Sequence, residues 1–243
     1  MSYRDDATPT RGELSEVADP LGWRLILGVL ISHVPVSSLA AAAEAARIVV
    51  DAVGGEGDGH LSIDLHDHRL VLRLHTVAAG AVTGHDLRLA ARVSDALRQR
   101  GLEAGPGDAS AAPQNIEVAI DAMDIPAVRP FWRAVTGYVD EPGPSELGDA
   151  ALIDPLRRGP TIWFQQMDAP RPLGGQERSD RGIGQRNRIH VDVDVPPELA
   201  QARIDAALAV GGTLLSTDAA PAFWVLADPE GNEACICTWQ GRD

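Results

Sequence analysis

Glu117-Val-Ala-Ile-Asp121 and His190-Val-Asp-Val-Asp194 are two versions of one pattern. Each alternates apolar and polar residues, as a half-buried strand does, and each runs within a few residues into a proline-started helix, at Pro126 and at Pro197. In the first copy the helix is expected to run through Val135 and end at Gly137, with strand candidates at 149–153 and 160–166 after it. In the second the helix runs through Val210, Gly211-Gly212 stops it, and strands are expected at 213–216, 223–227 and 233–239. Strand, helix and three strands, repeated at a period of about 70 residues, is a fold half rather than a solenoid unit. The chain from residue 115 to residue 243 therefore reads as two paired βαβββ modules. An arginine- and glycine-rich stretch, 171–187, reads as an exposed loop between them.

Upstream, a Gly-, Ala-, Pro- and Ser-rich stretch from Gly101 to Gln114 reads as a linker, assigned here to 103–114. Before it, residues 19–102 form a separate pattern. An apolar run at 23–34 is one strand candidate. Ser37-Ser38 opens an alanine-rich helix through Val53, and a glycine cluster at 54–59 ends it. Residues 60–65 and 69–76 alternate as a hairpin around His66-Asp67-His68. Thr83, with Asp86 three residues on, opens a further helix with an apolar stripe at Leu87, Ala90, Val93 and Leu97. This order implies an antiparallel sheet with helices on one face. Residues 1–18 are polar and read as a mobile tail closing with a short helix. The class for the whole chain is α+β.

Thirty-five acidic residues against 21 Lys+Arg give the 243-residue chain a net charge of −14. That charge repels phosphate backbones and anionic lipid, so no nucleic acid and no membrane are expected as partners. No apolar run reaches membrane-spanning length and the first residues lack a secretory pattern, so a cytoplasmic location is expected. The two cysteines, Cys235 and Cys237, alternate on one strand, which suits free thiols on one face better than a disulfide.

Superposing the two copies makes Glu117 and His190 equivalent, and a carboxylate with an imidazole is a usable half of a divalent metal site. The last strands add Trp163 and Gln165 from one copy and Cys235 and Cys237 from the other. Asp192 or Asp194 could pair with His190 for acid/base work. Trp163 and Trp224, with Trp132 and Trp239, are candidates for the wall of an apolar ligand pocket.

Four motifs carry a resemblance: Asp124-Ile-Pro-Ala-Val-Arg-Pro-Phe-Trp132, Gly159-Pro-Thr-Ile-Trp-Phe-Gln165, Arg188-Ile-His190, and Trp224-Val-Leu-Ala-Asp-Pro-Glu-Gly-Asn232. With them the C-terminal half resembles the glyoxalase/bleomycin-resistance/dioxygenase (vicinal oxygen chelate) superfamily, and within it the actinobacterial glyoxalase-like type. The resemblance implies one divalent metal ion held by Glu117, Gln165, His190 and Cys235. Cys235 stands where glutamate is usual. It further implies lyase, isomerase or ring-opening chemistry on a small oxygenated substrate, with Glu117 or His190 as base and Trp163, Gln165, Trp224 and Cys235 around the substrate. The alternative it implies is a protein that binds and sequesters a small molecule without turnover.

Residues 23–97 resemble pterin-4a-carbinolamine dehydratase through His60-Leu-Ser-Ile-Asp-Leu65, Leu74-His-Thr76 and Gly80-Ala-Val-Thr-Gly-His-Asp86. That family uses three histidines. The matching positions here are Gly59, His60 and Val77, so only His60 remains as a catalytic candidate. A lone imidazole is a poor acid and base at once. The resemblance therefore implies a module that has lost its chemistry, with 4a-hydroxytetrahydrobiopterin dehydratase activity as a further alternative. Both resembled families commonly self-associate, so a homodimer is expected.

Overall fold

The computed structural model describes residues 9–107, 113–142, 151–168 and 190–241. The chain divides into two compact units, the first built mainly on residues up to Asn115 and the second mainly on residues from Ile116.

In the first unit, α1 (Arg11–Ala18) leads into β1 (Arg24–Ile26), β2 (Val29–Pro35), α2 (Leu39–Val53), β3 (Leu61–Leu65), β4 (Arg69–Leu74) and α3 (Gly84–Arg98). The sheet is antiparallel in the order β1-β2-β4-β3. Leu30 and Val34 of β2 and Leu70, Leu72 and Leu74 of β4 share a core with Ala42, Ala45 and Val49 of α2 and with Ala90, Val93 and Leu97 of α3. Alternate strand residues on one face meet two helical stripes there, so the helices cover one side of the sheet.

Three expectations are corrected. The apolar run at 23–34 is two strands, because Leu27 (φ 47°) and Gly28 (φ 71°) form a two-residue turn with Ile26 facing Val29. Two consecutive positive φ values suit the twist of a tight hairpin, and leucine gives no hint of such a turn. Helix α1 is no tail: Thr10 and Glu13 form a capping box, and Leu14 and Ala18 are buried in the core. The start of the linker belongs to the first sheet, since Gly105 exchanges both backbone hydrogen bonds with His33 at 2.8 and 2.9 Å.

The second unit repeats one module. Its first copy is β5 (Glu117–Ala122), α4 (Ile125–Thr136), β6 (Val139–Asp140), β7 (Leu152–Ile153) and β8 (Thr161–Gln166). The second is β9 (Val191–Asp194), α5 (Pro197–Ala209), β10 (Thr213–Ser216), β11 (Phe223–Ala227) and β12 (Glu233–Cys237). The sheet orders correspond, β5-β8-β7-β6 and β9-β12-β11-β10, with β5–β8 and β9–β12 parallel and the rest antiparallel. The two-residue strand β6 is too short for its alternation to register in the sequence, and it completes the first βαβββ copy. The loop expected at 171–187 lies outside the described residues.

Asp124 caps α4, with Pro126 in its first turn, and Gly137 ends it in the left-handed conformation at φ 71°. The Asp228–Asn232 turn ties the copies together. Asp228, 3% exposed, accepts from Trp132 Nε1 at 3.0 Å and from the backbone of Glu230 and Asn232. The Glu230 carboxylate in turn accepts from the backbone N–H groups of Met123 and Asp124, where α4 begins. Among the described residues no helix is long and apolar enough to cross a membrane.

Candidate functional site

In both modules alternation sorts the strands into two faces. Val118, Ile120 and Ala122 of β5, Ile162 and Phe164 of β8, Val191 and Val193 of β9, and Ala234 and Ile236 of β12 pack with α4 and α5 in one core. The opposite, open faces carry Glu117, Ala119 and Asp121, then Trp163 and Gln165, then Asp192 and Asp194, then Cys235 and Cys237. Trp224 lies opposite Ile236 and packs against the core. It therefore does not belong to the open face where a substrate contact was expected. Trp132 is likewise buried, and Trp239 is 67% exposed.

The parallel pairing of β9 with β12 sets Asp192 directly beside Cys235. His190, one residue before the strand, brings Nε2 to 3.4 Å from Asp192 Oδ1. The three donor atoms of His190, Asp192 and Cys235 lie within 4.8 Å of one another, the histidine and aspartate exposed and the cysteine buried. Burial, together with a hydrogen bond donated to Asp192 and the negative charge there, pushes the Cys235 thiol up to about 12. Neither cysteine forms a disulfide among the described residues.

The other two residues expected beside a metal do not share one level of their own ladder. Glu117 faces Thr161 in the β5–β8 ladder and Gln165 faces Asp121. Four residues along paired strands separate Glu117 from Gln165, roughly 13 Å. With Glu117 equivalent to His190, the Asp192–Cys235 pair corresponds to Ala119–Trp163. Trp163, not Gln165, thus occupies in the first copy the place that Cys235 holds in the second.

Glu117 has different company, which sequence reasoning missed. Burial pushes the Glu141 carboxyl up, the Arg157 guanidinium opposes that, and Glu117 adds to it. Arg157 is held in the left-handed region at φ 53°, and its buried Nη2 has no hydrogen-bond partner among the described residues. A β-hairpin and a loop bring these groups together across 24 to 40 residues, a separation that no local pattern reveals.

In the first unit, Asp86 is fully buried and does more than cap α3. Its Oδ2 accepts from the Thr83 backbone and from the Thr76 hydroxyl, both at 2.7 Å, and its Oδ1 lies 2.8 Å from His60 Nδ1. A carboxylate can only accept, so Nδ1 is the donor in this pair. The His85 ring lies 4.5 Å from that of His60 and is held by Arg88 and the Glu56 carbonyl. His75, just past the end of β4, turns its Nδ1 to the Gly28 carbonyl at 3.0 Å.

Residues 117–237 match the family model described as a glyoxalase-like domain. The second unit is a glyoxalase-like domain. Solved structures similar to this chain include a glyoxalase/bleomycin resistance protein from Albidiferax ferrireducens T118, 21% identical over 50% of this chain and 95% of its own, with a TM-score of 0.35. A glyoxalase/bleomycin resistance protein/dioxygenase family enzyme from Burkholderia phytofirmans PsJN is 19% identical over 50% and 95%, with a TM-score of 0.36. A hypothetical protein, SA1046 from S. aureus, is 12% identical over 51% and 96%, with a TM-score of 0.37. No curated protein matches the chain.

Proposed function

We propose that the glyoxalase-like domain is an enzyme of the lyase or isomerase type that binds a small oxygenated molecule on the open face of its sheets, with a divalent ion at His190, Asp192 and Cys235. The observation that carries this reading is the convergence of those three donor atoms within 4.8 Å. Imidazole, carboxylate and thiolate all lie within the ligand range of zinc, whose bonds of about 2.0–2.3 Å set neighbouring ligands about 3.5 Å apart. Closing the triad onto an ion thus takes a contraction of about 1 Å. The exposed His190 and Asp192 side chains can supply it, while the ladder holds Cys235. Three protein ligands leave a position for substrate, the usual arrangement of a catalytic rather than a structural ion.

When bound, such an ion supplies Lewis-acid polarisation of a substrate oxygen. The chain's own residues do the rest. Cys235 gives up its proton on loading, so ion affinity rises with pH. Glu117, exposed at the edge of β5, takes a proton from the substrate. Glu141, whose carboxyl is pushed up beside it, holds one to return. Trp163, on the open face of β8, offers an apolar wall.

The first unit serves as a pterin-4a-carbinolamine dehydratase-like module without turnover, and the whole is a cytoplasmic homodimer whose partner is a small-molecule ligand. A second reading, a metal-free binding or sequestering protein, is favoured by Cys235 itself. Its thiol is protonated, buried and already hydrogen-bonded to Asp192, so the cluster is satisfied without an ion.

Elemental analysis of the full chain purified without chelator separates the two. About one divalent ion per chain, lost in His190→Ala, is the expected result. Protein that stays metal-free after incubation with zinc, manganese, iron and nickel overturns the enzyme reading and leaves the second.

A further inference from the structure

The helical side of the glyoxalase-like domain carries a groove of about 580 Å³ between α4 and α5, away from the open faces. Leu199, Arg203 and Val210 line it from the α5 side, and Pro130, Arg133 and Tyr138 from the α4 side. Leu199 and Val210, at the two ends of α5, are 45% and 39% exposed, so the groove has apolar ends about 16 Å apart along the helix. Among the described residues no acidic one lines it, in a chain whose net charge is −14.

Arg203 stands midway. Its guanidinium lies where a side chain at Gly137 would be, and one nitrogen donates to the Val135 carbonyl at the end of α4, at 3.0 Å. Among the described residues no carboxylate pairs with it, so a half-buried cation with most of its N–H groups unused is fixed in position. Arg133 stands on the α4 side of the groove, its side chain 52% exposed and its guanidinium 3.3 Å from Asp140.

From this geometry we infer that the α4–α5 groove is a second binding site, for an amphipathic monocarboxylate whose apolar chain lies between Leu199 and Val210 and whose carboxylate meets Arg203 and Arg133. A charged head on a desolvated guanidinium and a tail on exposed apolar side chains match both features. The site is independent of the His190 cluster, since it lies on the other face of the sheets.

Calorimetric titration of the full chain with sodium decanoate tests this, with decanol and decyltrimethylammonium as controls. Decanoate is expected to bind, the cationic control not to bind, and decanol to bind at least tenfold more weakly. Arg203→Gln and the exposed-site variant Leu199→Asp are each expected to weaken decanoate at least tenfold, and His190→Ala to leave it unchanged. Absence of decanoate binding, or binding that Arg203→Gln and Leu199→Asp both leave unaltered, overturns the inference. A change of oligomeric state in Leu199→Asp, with decanoate affinity unaltered, assigns the groove to a second copy of the chain instead.

Discussion

Two histidine–aspartate pairs, one in each unit, are built to opposite designs. In the first unit Asp86 is fully buried and accepts from the Thr83 backbone, the Thr76 hydroxyl and His60 Nδ1. In the glyoxalase-like domain, His190 and Asp192 side chains are 53% and 54% exposed, and their closest atoms are 3.4 Å apart. Asp86 is buried among hydrogen-bond donors that it satisfies, and the pair stabilises the first unit. The open pair contributes little to folding and keeps the freedom to close on something absent from the chain, with a cysteine poised beneath it. Burial marks where the fold invests in structure, and exposed, loosely paired donors mark where it waits for a ligand.

The comparison breaks most easily at Asp86. Asp86→Ala strands buried donors from Thr83 and Thr76 and removes the cap of α3, so the first unit should lose about 3 kcal/mol. Asp86→Asn, which keeps the acceptor but not the charge, should lose less. Asp192→Asn should change stability by less than about 0.5 kcal/mol while weakening ion binding at least tenfold. Urea unfolding and metal titration of all three variants measure the contrast. Equal stability losses at positions 86 and 192 would erase it.

The alkaline limb of stability sharpens it next. The Cys235 thiol is raised from about 9 in the open chain to about 12 in the fold by burial and by Asp192. Below pH 9 the thiol is protonated in both states and this stabilisation is complete. Between pH 9 and 12 the unfolded chain loses its proton first, so stability falls as pH rises. Melting temperatures across that window should drop more steeply in the parent chain than in Cys235→Ala. Parallel profiles would mean that the thiol is not desolvated as the ladder places it.

Much of this was legible in the residues themselves. The alternation at 117–121 and 190–194, the proline starts at Pro126 and Pro197, and the stops at Gly137 and Gly211 disclose a repeated module, because caps and alternation are local. What stayed hidden depends on partners far apart in the chain. Asp86 is readable as a capping residue three positions after Thr83, yet its bond to His60 spans 26 residues. Asp192 meets Cys235 only once the parallel register of β9 and β12 is known. Trp224 looked like a pocket residue because alternation alone cannot say which face of β11 meets the helices. The Leu27-Gly28 hairpin was invisible because leucine rarely accepts a positive φ.

The smallest expected effect is the most pointed. The family resemblance implied Gln165 as a metal ligand, and the β5–β8 ladder sets it opposite Asp121, four residues past the level of Glu117. Gln165→Ala should therefore leave ion stoichiometry and affinity unchanged within about twofold, even as His190→Ala abolishes both. Trp163→Ala, at the position that corresponds to Cys235, should instead weaken ligand binding without touching the ion, as the loss of an apolar wall does. A clear drop in ion affinity in Gln165→Ala would mean that Gln165 reaches the ion, as the family resemblance implies. The open half of the comparison would then have to be redrawn around a site that draws on both modules.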